Sequence, residues 1–272
     1  MQDPNSYVLG TDPIERERLS NQSARLAPEA NWLLDQVGIQ PGARAVDVGC
    51  GPLGILDLLA ERVGTSGTVV GVEREPHLLN IARATLAERG FPNVQVQLGD
   101  ATATGLPQDR FDLAHERLVL IVSPQPERVV AEMVRLVRPD GIVALQDYDT
   151  GKTGLCYPPH PAFDRLVELF CATYRARGLD PCIGPRLPAL LRAAGLVDVR
   201  MHGHTRVQPG VERFEALAAL FRAVRDQVVH LGLVTAAEYA SLLDELGMHM
   251  CQPDTIFVQW VLVQAWARKP SR

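Results

Sequence analysis

The sequence predicts an α/β fold built on a mostly parallel sheet, and three observations carry that expectation. Between residues 43 and 148, short β-branched runs alternate with amphipathic stretches of about 10–15 residues, the rhythm of βαβ units. A glycine turn, VDVGCGPLG from Val46 to Gly54, follows the first apolar run directly. The chain has 272 residues and is 46% hydrophobic, ample for one large core with an appended cap.

The elements follow in order. In TDPIERERL, Thr11 or Asp12 is placed to cap a helix and Pro13 to sit in its first turn. Leu19, Leu26, Trp32, Leu33 and Val37 continue an apolar stripe, which predicts helices interrupted near Pro28. ARAVDV reads as strand one, and after the glycine turn ILDLLAERVG reads as a helix. GTVVGVE is strand two. Glu75 and Pro76 open the helix HLLNIARATLAERG, which Gly90 closes. VQVQL is strand three and FDLAHE strand four. ERVVAEMVRLV is a helix ended by Pro139-Asp140-Gly141, and IVALQDY is strand five.

Past Tyr148 the rhythm changes. PAFDRLVELFCATYRARG and PRLPALLRAAG read as helices, VDVRMHGHTRV as a strand and TIFVQWVLVQAWARK as one long terminal strand. Between those strands lie two helical stretches, ERFEALAALFRAVRDQVVHLG and TAAEYASLLDELG. Strands joined through such an insertion are expected to pair antiparallel, with the helices standing off the sheet as a cap that decides specificity. The expected organisation is an N-terminal helical lid over 1–40, a core over 41–209 and 255–272, and a helical cap over 210–254.

Composition narrows the function. The formal net charge is −5 and the only lysines are Lys152 and Lys269, so no basic surface for nucleic acid is expected. No apolar run approaches the roughly 20 residues that span a bilayer, and the opening MQDPNSYVLGTDP has no hydrophobic signal core. Cys50, Cys156, Cys171, Cys182 and Cys251 are odd in number and never spaced C-x-x-C, which speaks against a disulfide framework or a zinc site. These features predict a cytoplasmic protein with reduced thiols, no metal and no membrane or nucleic-acid partner. A small-molecule substrate and a monomeric or homodimeric state are expected as well.

A turn of the form G-x-G-x-x-G can hold a dinucleotide or S-adenosylmethionine, and either ligand calls for an acid at the end of strand two. Glu73 serves both. The position two before Gly49 discriminates, because nicotinamide and flavin sites usually carry an apolar residue there. Here it is Asp47, whose carboxylate suits an ammonium group rather than a pyrophosphate. After strand three, Asp100 could accept from an adenine amino group, and the Ala101 N–H could donate to a ring nitrogen.

Together VDVGCGPLG, VVGVE, GDAT, FDLAHERLVL and RPDGIVALQDYD resemble the class I S-adenosylmethionine-dependent methyltransferases, in particular the small-molecule branch of the ubiquinone/menaquinone C-methyltransferase type. The resemblance runs from Tyr7 to Val199. It implies a Rossmann-like, seven-stranded, mostly parallel sheet with the last strand antiparallel, and S-adenosyl-L-methionine as cofactor with S-adenosyl-L-homocysteine as product. Two positions depart from the pattern: Asp140 stands where glycine is usual, and Arg74 where an apolar residue stacks on adenine. A guanidinium plane can stack on a ring as well.

The expected cofactor contacts are therefore Asp47 at the methionine end, Gly49 and Gly51 under it, Glu73 on the ribose, and Arg74, Asp100 and Ala101 at the adenine. Glu116 and Arg117 end strand four, where the methyl should be presented, with Glu116 assigned to the cofactor and Arg117, with Tyr148, to the substrate. Arg18 is a candidate counterion for the cofactor carboxylate, and Tyr7 a candidate ring beside the sulfonium. Methyl transfer needs alignment, desolvation and removal of an acceptor proton. Asp149, Asp147 and His204 are the candidate proton acceptors. A cyclase that holds the cofactor without transferring methyl, and a protein or RNA methyltransferase, remain as alternatives.

Overall fold

Parallel pairing requires each strand to return by a crossover, and the computed structural model, which describes residue 19 and residues 21–271, supplies those crossovers as helices. In chain order the elements are α1 (Ala27–Val37), β1 (Arg44–Val48), α2 (Leu56–Val63), β2 (Thr68–Glu73), α3 (Pro76–Arg89), β3 (Val94–Leu98), β4 (Phe111–Arg117), α4 (Pro126–Leu136) and β5 (Val137–Tyr148). There follow β6 (Leu155–Tyr157), α5 (Pro161–Ala176), α6 (Leu187–Ala193), β7 (Val197–His204), β8 (Val207–Pro209), α7 (Gly210–His230), α8 (Ala236–Met250), β9 (Ile256–Val258) and β10 (Leu262–Arg268). Residues 21–25 are also helical.

The main sheet has seven strands in the order β3-β2-β1-β4-β5-β10-β7. β3, β2, β1, β4 and β5 pair in parallel, and the last strand, β10, runs antiparallel to β5 on one side and to β7 on the other. The seven-stranded α/β expectation is met. The order turns back between β1 and β4, the switch point where such sheets open a crevice beyond their strand ends.

Local sequence explains the punctuation. Pro28 lies in the first turn of α1, and Gly38 closes that helix in the left-handed region with its N–H on the Leu34 carbonyl. Gly90 closes α3 in the same way, its N–H reaching the Leu86 and Ala87 carbonyls. α4 stops at Leu136, and β5 begins at once, five residues earlier than IVALQDY suggests. Asp140, at φ 65°, adopts a conformation that glycine takes readily, and the β4–β5 register shifts between Phe111 and Leu113.

The expected single terminal strand divides in two. Trp260 is buried at 3% exposure against the Phe170 and Phe257 rings. The Val261 N–H donates to Thr153 Oγ1 at 2.8 Å instead of extending a ladder. β9 therefore joins β6 and β8 in a three-stranded sheet that the sequence pattern does not reveal, and only β10 enters the main sheet.

One face of the main sheet packs Ala45, Leu113, Ala144 and Trp266 against α1 and α2. The other presents Val46, Val48, Ala114, Val143 and Leu145 to a cluster that runs through α4, α5 and α6 into α7 and α8. The α7–α8 insertion is thus packed into the same apolar interior as the sheet. Tyr239 of α8 is fully buried and donates its hydroxyl to the Phe221 carbonyl of α7 at 2.8 Å. Thr235 and Glu238 form a reciprocal capping box at the start of α8.

Candidate functional site

A cavity of about 660 Å³ opens beyond the carboxyl ends of β1, β2, β4 and β5. Its floor is the glycine turn. Gly49, Gly51 and Gly54 all have positive φ. A Cβ at Gly49 would strike Val119 Cγ2, and one at Gly54 would strike Asp47 Oδ2. At Gly51 a Cβ would meet nothing, so that position opens into the cavity. The Gly49 and Cys50 N–H groups both donate to the Val72 carbonyl at 2.8 and 3.0 Å, which locks the turn onto the end of β2.

Glu73 ends β2 with both carboxylate oxygens engaged. Oε2 accepts the Gly51 N–H at 2.8 Å and Oε1 the Glu75 N–H at 2.9 Å. Each oxygen keeps a further lone pair for a ligand hydroxyl. Burial pushes the Glu73 carboxyl up, against the opposite pull of those N–H groups.

Asp47 lines the cavity but is gripped from behind. Its Oδ1 lies 2.7 Å from His115 Nδ1, and its Oδ2 accepts the Ile55 N–H at 3.4 Å. His115 is fully buried, and its Nε2 meets Gln146 Oε1 at 2.9 Å. Register explains the triad: Asp47 pairs with His115 and Arg117 with Gln146 across neighbouring parallel strands, so all four share one face. His115 and Gln146 escape a motif reading because they lie inside the strands. The available signal was parity, since His115 is two residues before Arg117.

Beyond β3, Asp100, Ala101 and Thr102 line the cavity together with Arg74. One Asp100 oxygen takes both the Thr102 N–H at 2.7 Å and the Thr102 hydroxyl at 2.5 Å. The Thr102 hydroxyl is the main cause holding the Asp100 carboxyl below its ordinary range. Arg74 Nε lies 3.5 Å from Glu75 Oε1.

Glu116 and the three expected proton acceptors lie elsewhere. Glu116 points to the opposite sheet face from Arg117, fully buried, and accepts the Gln146 N–H at 3.1 Å and the Val119 N–H at 3.0 Å. Burial pushes its carboxyl up to about 7. Asp147 is fully buried beside it, and burial together with the Glu116 charge pushes Asp147 well up as well. Asp149 is buried at 5% exposure, next to Cys182, with its N–H on the Val261 carbonyl at 3.0 Å. His204 bonds Gln264 Oε1 at 2.9 Å and lies edge-on to Trp32 of α1. None of these four side chains forms part of the cavity wall. Strand alternation turns Glu116 and Asp147 to the face away from Arg117 and Gln146, and His204 lies two strands away from β5 in the sheet.

Arg117 and Tyr148 do line the cavity. Arg117 Nη2 donates to Ser23 Oγ at 2.9 Å and to the Gly54 carbonyl at 3.0 Å, tying the residues before α1 to the glycine turn. Burial lowers its guanidinium from the ordinary value. The Tyr148 hydroxyl accepts Gln259 Nε2–H at 2.5 Å. Around Tyr148 the wall continues through Phe170, Tyr174, Trp260 and the α7 residues Arg213, Ala216 and Leu220. Arg25 and Arg213, not singled out by any motif, belong to this wall. Tyr7 and Arg18 lie outside the described residues. Among the described residues no three His, Cys, Asp or Glu side chains gather as metal ligands, and no helix is long and apolar enough to cross a membrane.

Polar glycine-turn backbone with open space above Gly51, a buried acid for hydroxyls, and an aromatic far wall together fit a nucleoside joined to a charged amino-acid tail. Comparison with known proteins points the same way. A family model described as a methyltransferase domain matches residues 39–177. Nocamycin O-methyltransferase of Saccharothrix syringae is 40% identical over 196 residues, a match spanning 64% of this chain and 66% of that protein. Demethylmenaquinone methyltransferase of Anoxybacillus flavithermus is 33% identical over 188 residues, spanning 63% of this chain and 77% of that protein. The solved YcgJ protein of Bacillus subtilis superposes with a TM-score of 0.59 at 19% identity, covering 89% of this chain and 97% of that one, a likeness of fold.

Proposed function

The chain belongs to the methyltransferase-domain family of S-adenosylmethionine-dependent enzymes, and from that premise we propose that it methylates a small-molecule acceptor held between the glycine turn and α7. The observation that carries this reading is the single cavity joining Glu73 and the glycine turn to the aromatic wall around Tyr148. S-adenosylmethionine supplies an already activated methyl group, so the protein's task is to bind, align and exclude water.

In this reading Glu73 holds the ribose hydroxyls, and Asp100 with the Ala101 N–H holds the adenine. Asp47, fixed by His115, faces the methionine ammonium, and Gly49 and Gly51 let backbone approach the ligand. Arg117 and Tyr148 stand on the acceptor side. The residues before α1, together with α7, form the walls that select the acceptor, which supports treating 210–254 as the specificity-bearing cap. The net charge of −5 supports a small molecule over nucleic acid, and the reading is of a cytoplasmic enzyme.

Calorimetry with S-adenosylhomocysteine tests the cofactor site. Glu73→Ala removes the hydroxyl acceptor and should weaken binding by about 2–3 kcal/mol, or roughly 30- to 150-fold. Unchanged affinity in that variant would sink the assignment. Release of S-adenosylhomocysteine in step with labelled methyl appearing on a small molecule separates transfer from a reaction that merely retains the cofactor.

A further inference from the structure

Two polar side chains are sealed inside the main sheet without touching the cavity. His115 of β4 and Gln146 of β5 are fully buried, and neither forms part of the cavity wall. Burying an imidazole and an amide is unfavourable unless their hydrogen bonds are made, so their partners carry the explanation. His115 Nδ1 lies 2.7 Å from Asp47 Oδ1, and its Nε2 lies 2.9 Å from Gln146 Oε1. Gln146 faces Gln264 across the β5–β10 pair, but Gln264 is occupied. Its Nε2 donates to the Glu29 carbonyl at 2.8 Å, and its Oε1 meets His204 Nε2 at 2.9 Å. Gln146 Nε2 is therefore left buried with no partner among the described residues.

These contacts can be made in two ways. With Gln146 Oε1 toward the ring, both ring nitrogens of His115 face acceptors, so the ring must carry two protons. Its charge then cancels that of Asp47, and the amide donors of Gln146 are stranded. With the amide turned end for end, Gln146 Nε2 donates to the lone pair on His115 Nε2, and the Nδ1–H donates to Asp47 Oδ1. The ring is then neutral. Only this second arrangement leaves the pair a net negative charge to offer a ligand ammonium.

We propose that Gln146 is a positioning residue for the cofactor: its amide donates to His115 Nε2 and holds the ring neutral, so that Asp47 stays anionic and aimed at the ammonium of the amino-acid tail. The proposal rests on the cofactor reading above. Register gives Gln146 its reach, since Asp47 pairs with His115 while Gln146 pairs with Arg117, two residues further along β4. An amide suits the position because it can donate, whereas a carboxylate would only accept and would demand the second ring proton.

Calorimetry on the full chain compares S-adenosylhomocysteine with methylthioadenosine, which keeps the nucleoside and the sulfur but lacks the amino-acid tail. Gln146→Leu should weaken S-adenosylhomocysteine by about five- to thirtyfold and leave methylthioadenosine within about twofold of the wild type. A merely structural role would weaken both ligands alike. Nitrogen spectroscopy on protein carrying isotope-labelled histidine reads the ring directly, the His115 signals being those lost in His115→Asn. In the wild type saturated with S-adenosylhomocysteine, His115 should show a protonated Nδ1 and a bare Nε2. Two protonated nitrogens, an equal loss of both ligands in Gln146→Leu, or no loss at all overturns the proposal while leaving the cofactor site standing. If the wild type fails to bind S-adenosylhomocysteine, both readings fall.

Discussion

Residue by residue, the site depends on carboxyl groups held in contrasting surroundings. Asp47 and Glu73 face the cavity, and their oxygens are steered by His115 and by backbone N–H groups. Glu116 and Asp147 are sealed together on the opposite face, where one charge discourages the other. Glu116 stands at about 7 against an ordinary 4.5, so the folded protein keeps a proton that the unfolded chain gives up between those values. Its contribution to stability is therefore complete below about pH 4.5 and is lost as the pH rises through about 7, with a slope of at most about 1.4 kcal/mol per pH unit. Glu116→Gln is neutral at every pH. Urea midpoints of wild type and variant should accordingly diverge in the variant's favour from about pH 5 to pH 7.5. Parallel midpoints across that range would show that no such proton is retained.

At the scale of elements, the glycine turn separates folding from binding. Gly54 sits at φ 56°, where a Cβ would press on Asp47 Oδ2 and lie 2.7 Å from the Cys50 carbonyl oxygen. Gly54→Ala should cost about 2 kcal/mol or more, since the left-handed conformation alone costs an alanine about 1–2 kcal/mol and the clash adds to it. Gly51, at φ 58°, has open space where its Cβ would be. Gly51→Ala should cost only the conformational part, yet lower S-adenosylhomocysteine affinity at least as much as Gly54→Ala does. Chemical denaturation and calorimetry on the two variants separate the effects. If Gly51→Ala binds like the wild type, the backbone above that turn does not approach the ligand.

For the whole molecule, the cavity is bounded by parts far apart in the chain: residue 19 and residues 21–25, four strand ends, α5 and α7. A ligand that bridges them should stabilise the folded state as a unit. At a hundredfold excess over its dissociation constant, S-adenosylhomocysteine should add about 2.7 kcal/mol and make the melting temperature concentration-dependent. Glu73→Ala should show little of that shift at the same ligand concentration. An equal rise in both proteins would mean that the ligand is stabilising some other surface.

Local rules were enough to make the sheet and the glycine-turn end of the cavity legible. Period-two and period-3.6 patterns need only near neighbours, so β1 to β5 and their helices are written into short windows of sequence. The glycine turn, Glu73 and Asp100 are marked because each stands at or just beyond the end of a strand, and a strand end in such a sheet faces the crevice. What escaped was set by long-range packing. Trp260 breaks TIFVQWVLVQAWARK in two because its ring is needed in the interior, a demand made by Phe170 and Phe257 and invisible in an apolar run. His115 finds Asp47 through the β1–β4 register. Asp147 and Asp149, adjacent in sequence to a wall residue, are turned from the cavity, since a single step along the strand reverses a side chain. Arg25 and Arg213, 188 residues apart in sequence, line the same cavity as Tyr148, and only the folding of α7 over the strand ends brings them to one wall.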